Sequence, residues 1–372
     1  MKNFKVLTIV GTRPELIRLS RVINYLDQNL NHKLIHTGQN YDYELSQIFF
    51  KDLSLRKPDY QIDIKTKNPI ASISQILSDV EKIIIKEKPN AFLILGDTNS
   101  CLSAYCAKRH KVPVFHIEAG NRCYDERVPE EINRKIIDHI SDINITYSNI
   151  AKNNLIRENV SPDKIFKIGS PLYEVFRHYK KKIYKSKILN KLNIKKKNYF
   201  LLSVHREENI DNKDNFKKFL NLLNYLENRG KEKVVVSTHP RTMKKLNLLN
   251  LKKSKNIIFH KPFSYIDYSF LQLNSKIVLS DSGSITEESN IMGFEAINLR
   301  STNERQEGME YGAVPMSHFD LEMIESLIST RINKNNLILD YKCENFSNIF
   351  LNILLSYTNY INEYTWKKKI KN

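Results

Sequence analysis

Short apolar, β-branched runs alternate with amphipathic stretches from one end of the chain to the other. The runs 4-FKVLTIV-10, 33-KLIHT-37, 91-AFLIL-95, 112-VPVFHI-117, 143-INITY-147 and 164-KIFKI-168 predict strands. Helices are predicted between them over 14–28, 41–52, 70–87, 98–109, 129–141 and 148–158, several opened by Pro or by a Ser/Asn cap. In the helix over 129–141, Ile132, Ile136 and Ile140 recur at i, i+4 and i+8 and are expected to form its buried stripe. The segment 172–198 turns Lys-rich and loses the pattern. A second series then follows in 199-YFLLSV-204, 233-KVVVST-238, 256-NIIFH-260, 276-KIVLS-280 and 296-AINL-299. Strands alternating with helices predict βαβ units and parallel sheets, hence an α/β fold of two doubly wound domains. The expected division is 1–171, a linker over 172–198, and 199–343, with a C-terminal helix over about 344–372 packing back on the first domain.

Length agrees with two domains, because single cores stop growing near ~250 to 300 residues and this chain has 372. Hydrophobic residues make up 41 %, enough for packed cores and unlike a disordered chain. Lys+Arg number 59 against 41 Asp+Glu, a net charge of +18. Much of that excess lies in 180-KKKIYKSK-187, 195-KKK-197 and 367-KKKIK-371, which lack the Gly or aromatic interleaving of a single-strand platform. They read as a solvated Lys-rich surface; the alternative is a field that attracts a polyanionic small substrate or an acidic surface. Nucleic-acid binding is therefore not expected, and neither is membrane insertion, since no apolar run approaches ~18 residues. Four Cys, at 101, 106, 123 and 343, form no C-x-x-C pair and follow no signal peptide, which predicts a reduced, cytoplasmic setting.

In doubly wound sheets ligands bind outside the carboxyl ends of the strands, and in a two-domain chain the cleft between the halves is the expected site. The polar residues at strand ends are therefore the candidates for chemistry. The first strand ends in 11-GTRPELIR-18, where turn amides are expected to face an anion, and Arg13 and Arg18 can add charge to a phosphate or carboxylate. It is not a dinucleotide fingerprint of G-x-G-x-x-G type. In 96-GDTNS-100, Asp97 is either a helix cap or a catalytic carboxylate. Strand alternation in 116-HIEAGNR-122 is expected to put His116, Glu118 and Gly120 on one face, as paired titratable groups for acid and base work, with Arg122 nearby. His-x-Glu is also a possible metal pair, but no third ligand has suitable spacing, so no metal is expected. Glu130 and Glu131 open the next helix, where they either complement its dipole or do chemistry.

In the second half, 203-SVHREENID-211 places His205 and Arg206 at a strand end, and 238-THPR-241 repeats the pattern. The most specific local signal is 280-SDSGSITEES-289. Amides at Ser282, Gly283 and Ser284 before a helix form an anion site, and Glu287 and Glu288 can accept hydrogen bonds from ribose hydroxyls. Arg300 and Arg305 follow in 300-RSTNERQEG-308. No Walker A sequence occurs.

Taken together, GTRPE, TGQNYD, GDTNS, HIEAG-R, PEEINR, HREEN, HP-R, SDSGS-TEES and NER strongly resemble the non-hydrolysing UDP-N-acetylglucosamine 2-epimerase family, in the family's order and over about residues 5–365. The resemblance implies two Rossmann-like domains in the GT-B arrangement, a UDP-sugar substrate in the interdomain cleft, a homodimer, and no need of NAD or metal. It implies loss of UDP with abstraction of the C2 proton to give a 2-acetamidoglycal, then re-addition of UDP with protonation from the opposite face. By the same correspondence Asp97, Glu118, Glu130 and His205 are the catalytic groups. Arg13, Arg18, Arg122, Arg206, Ser282, Gly283, Ser284, Glu288 and Arg305 are the substrate-binding ones, Glu288 at the uridine ribose. Where relatives acting on UDP-N-acetylglucosamine usually have Lys, His, Arg and Leu, this chain has Arg18, Asn40, Glu207 and Asn121. The stretch GNRCYDERVPEEINRKI is similar instead to the subgroup that converts UDP-2-acetamido-2,6-dideoxy-L-talose to UDP-N-acetyl-L-fucosamine for capsule or O-antigen. A GT-B glycosyltransferase is the more distant alternative.

Overall fold

The computed structural model describes residues 3–38, 43–66, 68–238, 242–243, 245–246, 254, 256–330 and 338–368. The chain divides into two units, one built from the chain up to Arg177 together with the segment from Asp340, the other from His178 to Leu339.

The first unit carries a parallel sheet of β1 (Lys5–Val10), β2 (Asn31–His36), β3 (Tyr60–Gln61), β4 (Ala91–Leu95), β5 (Val114–Ile117), β6 (Ile143–Thr146) and β7 (Ile165–Lys167). Their spatial order is 3-2-1-4-5-6-7. Strands such as 91-AFLIL-95 are apolar without alternation because both faces of a parallel sheet are covered, and all five of these residues are buried. The two-residue β3 follows no apolar run and pairs only with Ile35 and His36, so periodicity gave no sign of it. The helix Phe346–Tyr364 belongs to this unit and turns Phe346, Phe350, Leu351, Leu354 and Ile361 inward. Phe350 meets Phe115 edge to face, with ring centroids 6.3 Å apart.

The second unit carries β8 (Tyr199–Ser203), β9 (Lys233–Ser237), β10 (Ile257–His260), β11 (Val278–Ser280) and β12 (Ala296–Asn298), all parallel, in the order 10-9-8-11-12. Each sheet reverses its winding once, between β1 and β4 and between β8 and β11. Such switch points open a crevice at the carboxyl ends of the strands.

Two expectations fail. The Lys-rich segment is not patternless: a helix covers Pro171–Tyr184 and a shorter one Ile188–Lys191. Leu172, Val175, Phe176, Tyr179 and Ile183 form its buried stripe at helical spacing, while the lysines between them are exposed. The second failure lies in the helix Pro129–Ile140. Its buried residues are Glu131, Asn133, Arg134, Ile137 and Asp138, whereas Ile132 and Ile136 are 47 % and 46 % exposed. A polar stripe displaced by one residue from the isoleucines faces inward because it has ion-pair partners there. Among the described residues no helix is long and apolar enough to cross a membrane, and all four cysteines are free thiols.

Candidate active site

In the first unit, Leu95 and Ile117 are register partners at the ends of β4 and β5, so the residues after them emerge side by side. Gly96 turns the chain with φ +78°, and Asp97 follows. Its carboxylate Oδ2 accepts from Arg134 Nη2 at 2.6 Å and Nε at 3.0 Å, and its carbonyl accepts from Asn133 Nδ2 at 2.9 Å. Thr98, not Asp97, occupies the cap position of the following 3-10 turn. Asp97 is therefore an ion-paired carboxylate at a strand end rather than a helix cap.

Glu118 follows β5 in the left-handed region, φ +75°. A non-glycine residue held there costs of order 1–3 kcal/mol, and such strain concentrates at functional sites. The conformation also breaks the expected alternation. Glu118 turns to Arg18, with Nε to Oε2 at 3.5 Å, while His116 stays in the core, fully buried. His116 Nε2 lies 2.8 Å from the Gly96 carbonyl and Nδ1 lies 2.9 Å from Asp138 Oδ1. His116 and Glu118 thus do not project together, and His116 is not disposed as a metal ligand. Gly120, at φ +82°, has no alternative: a Cβ would sit 2.2 Å from the Ala151 carbonyl oxygen.

Arg122 corrects another expectation. It is wholly buried, donating to Asp138 at 2.7 Å, to both oxygens of Glu158 at 2.8 and 2.6 Å, and to the Asn121 carbonyl, so it braces the loop instead of presenting charge to a substrate. Burial pushes the Asp138 carboxyl up, but His116 and Arg122 outweigh it and hold the group below its ordinary range. Arg18 is only 6 % exposed and pairs with Glu118. Arg13 stacks its guanidinium over Phe49, 5.7 Å from the ring centre. Nor do the turn amides of 11-GTRPE-15 await an outside anion. Gly11 N and Thr12 N both donate to Glu15 Oε2 at 2.6 Å, in a capping box closed within the chain, and Thr98 Oγ1 donates to its other oxygen at 2.7 Å. Burial raises the Glu15 carboxyl despite these bonds.

Of the two glutamates opening the helix Pro129–Ile140, Glu131 is fully buried. It accepts from the amides of Cys123 and Tyr124, each at 3.1 Å, and from Arg134 Nη1 at 2.7 Å. Glu130 is half-buried in the first turn. Arg134 thereby links Asp97 to Glu131. Neither Arg134 nor Asp138 was singled out from sequence, although Glu131, Arg134 and Asp138 recur at i, i+3 and i+7.

In the second unit, Ser203 and Ser280 are register partners, and the chain continues from them into His205 and Asp281. Asp281 is wholly buried and His205 exposes 41 % of its side chain, with Nδ1 3.2 Å from Asp281 Oδ1. Arg206 Nε donates to the Asp281 carbonyl at 3.1 Å, and Nη2 lies 3.9 Å from Glu304. Ser282 to Ser284 lead into the helix Ile285–Met292. A Cβ on Gly283 would fall 2.0 Å from Glu304 Oε1, so the turn passes directly over that carboxylate. Glu288 accepts from Ser284 Oγ and Gln272 Nε2, both at 2.6 Å, which leaves it half-buried beside the turn. The Arg305 side chain is 1 % exposed and donates to the buried Glu287 at 3.0 Å, and Arg300 is likewise buried against Glu304. His239 and Arg241 of THPR and Gln39 to Asp42 of TGQNYD lie outside the described residues. Among the described residues, no group of three or more His, Cys, Asp or Glu side chains is placed to hold a metal ion.

The chain is similar to known proteins over nearly its whole length. The family described as UDP-N-acetylglucosamine 2-epimerase matches residues 25–350. The structure of UDP-N-acetylglucosamine 2-epimerase from Rickettsia bellii superposes with a TM-score of 0.90 at 46 % identity, covering 98 % of this chain and 100 % of that one. The Methanocaldococcus jannaschii UDP-GlcNAc 2-epimerase, crystallised with UDP-GlcNAc and UDP, gives 0.87 at 34 % identity, covering 95 % and 100 %. A Pseudomonas aeruginosa UDP-2,3-diacetamido-2,3-dideoxy-D-glucuronate 2-epimerase is 33 % identical, over 89 % of this chain and 93 % of its own.

Proposed function

Because the chain belongs to the UDP-N-acetylglucosamine 2-epimerase family, we propose that it inverts C2 of UDP-2-acetamido-2,6-dideoxy-L-talose to give UDP-N-acetyl-L-fucosamine, a precursor for capsule or O-antigen. UDP-sugar 2-epimerisation is the family's reaction; the choice of sugar is the proposal. The observation that carries the chemistry is the placing of Asp97 and Glu118 at the ends of neighbouring strands, each held by a buried guanidinium, Arg134 and Arg18. One carboxylate removes the C2 proton as the C1–O bond breaks and its electron pair leaves with UDP. UDP oxygen then re-adds to C1 of the glycal while a second group delivers a proton to the other face of C2. Two faces need at least two proton-transfer groups, and Glu130 and His205 complete the set.

The second unit supplies the groups proposed for UDP. Amides from Ser282 to Ser284 at a helix start, with Arg206, neutralise the diphosphate as it leaves. Glu288, oriented by Gln272 and Ser284, accepts from the ribose hydroxyls. The choice of sugar rests on the loop GNRCYDERVPEEINRKI. A glucuronate-derivative epimerase among the relatives supports varied substrates within the family. The second reading, UDP-N-acetylglucosamine to UDP-N-acetylmannosamine, is favoured by the names of the two structural relatives.

NMR of product mixtures from the two UDP-sugars in D2O tests these readings. Deuterium at C2 and a fucosamine product from the talose derivative are expected. Turnover of UDP-N-acetylglucosamine alone selects the second reading. No exchange with either sugar, and UDP released only when an acceptor is added, assigns the chain to glycosyl transfer. A homodimer belongs to the same proposal, and light scattering on the purified chain measures it.

A further inference from the structure

The geometry points to Asp281 as the positioning residue of His205, fixing which ring nitrogen faces the substrate. Asp281 belongs to none of the groups assigned to substrate above, yet it is completely buried and saturated with donors. Its carboxylate accepts from His205 N at 3.1 Å, from Arg206 N at 3.0 Å and from Asn209 Nδ2 at 3.0 Å, and Oδ1 lies 3.2 Å from His205 Nδ1. Two backbone amides, one side-chain amide and one ring nitrogen therefore converge on a single carboxylate. Burial by itself would raise this carboxyl, but the His205 charge and hydrogen bond, Asn209 and the Arg206 amide outweigh it and hold the group down to about 2. Asp281 is therefore an acceptor at any working pH.

An ionised carboxylate cannot donate, so the contact to Nδ1 requires Nδ1 to carry the proton. The neutral ring then keeps its lone pair on Nε2, on the side of the imidazole away from Asp281. Proton transfer at Nε2 leaves an imidazolium whose other N–H already points at a negative charge. A buried carboxylate of this kind holds a histidine in the right tautomer and stabilises its charged form without itself being protonated. The amide bonds add a second service. They tie the loop after β8 to the end of β11, so that His205 and Arg206 move with the turn Ser282–Ser284.

The inference rests on the reading of His205 as a proton-transfer group, and the test separates the two. Selective 15N-histidine NMR on the full chain, with the His205 signal identified by its loss in His205→Asn, is expected to show Nδ1–H in the wild type and a mixture of tautomers in Asp281→Asn. Rates of C2 deuterium exchange are then measured for both single variants and the double variant. Asp281→Asn is expected to lower kcat by ~10²-fold or more with little change in UDP affinity, and to cost nothing further once His205 is Asn. Thermal unfolding of each variant identifies losses due to a loosened loop, which would persist in the His205→Asn background. A wild-type ring protonated on Nε2, or an Asp281→Asn effect that is undiminished in the double variant, overturns the positioning role. Full exchange by His205→Asn instead removes His205 from the catalytic set, whatever Asp281 does.

Discussion

The guanidinium of Arg134 grips Asp97 through two of its nitrogens, Nη2 at 2.6 Å and Nε at 3.0 Å, while its third, Nη1, holds Glu131 at 2.7 Å. Only 4 % of the Arg134 side chain is exposed and none of Glu131. One buried cation thus sets the angle of a catalytic candidate and, through Glu131, pins the loop amides of Cys123 and Tyr124. Arg134→Met is expected to leave the Glu131 charge buried without its cation, a loss of ~3–5 kcal/mol. Arg134→Lys keeps a charge but not the forked geometry, and should lower kcat at least ~10-fold while sparing stability more. Urea unfolding and steady-state kinetics on both variants measure the two effects separately; equal kinetics in wild type and Arg134→Lys would refute the orienting role.

Asp97→Asn and Glu118→Gln preserve shape and remove a proton-accepting charge. Each is expected to abolish C2 exchange, by ~10²- to 10⁴-fold, while UDP binding stays measurable by calorimetry. Retained turnover in either one removes that residue from the proton-transfer set.

Gly283→Ala introduces a methyl group 2.0 Å from Glu304 Oε1, a carboxylate already committed to Arg300. The turn must shift or the pair must part. UDP affinity is expected to drop ~10-fold, about 1.4 kcal/mol, with the first unit's stability unchanged. An unaltered Kd would show that the turn does not contact the diphosphate.

Buried His36 has its imidazole pushed down to about 4 from an ordinary 6.5, because burial disfavours the charged ring. The unfolded chain therefore binds a proton that the folded chain refuses between these values. Stability is full above pH ~6.5, falls as the pH drops towards 4, and levels below; the His36 contribution is roughly 3 kcal/mol. His32, also lowered chiefly by burial, acts in the same direction. Unfolding free energies at pH 7 and 4.5 should differ less in His36→Gln than in the wild type; an identical difference contradicts the assignment.

Strand positions were legible in sequence because a parallel strand needs an uninterrupted apolar run, and 91-AFLIL-95 or 233-KVVVS-237 have few other uses. The candidate residues were legible for a related reason: Asp97, Glu118, His205 and Ser282 to Ser284 come immediately after such runs, where a doubly wound sheet exposes its polar ends. Helix faces were less legible. In the helix Pro129–Ile140 the isoleucines and the stripe Glu131, Arg134 and Asp138 have the same period, and hydrophobicity alone favours the wrong one. The correct side is set by Asp97, His116 and Arg122, which lie 12 or more residues away from their partners and make burial of charge tolerable.

The positions of most strands along the chain, and the polar residues at their ends, were thus properties of the sequence by itself, since both follow from short-range pattern. What only the tertiary structure decided is which charges meet. Arg18, Arg122 and Arg305 are alike as residues beside their motifs, but the fold sends them to Glu118, to Asp138 and Glu158, and to Glu287. A buried guanidinium must be neutralised on the spot, so its partner is fixed by three-dimensional proximity and the cost of desolvation, and neither quantity is written in the spacing of residues along the chain.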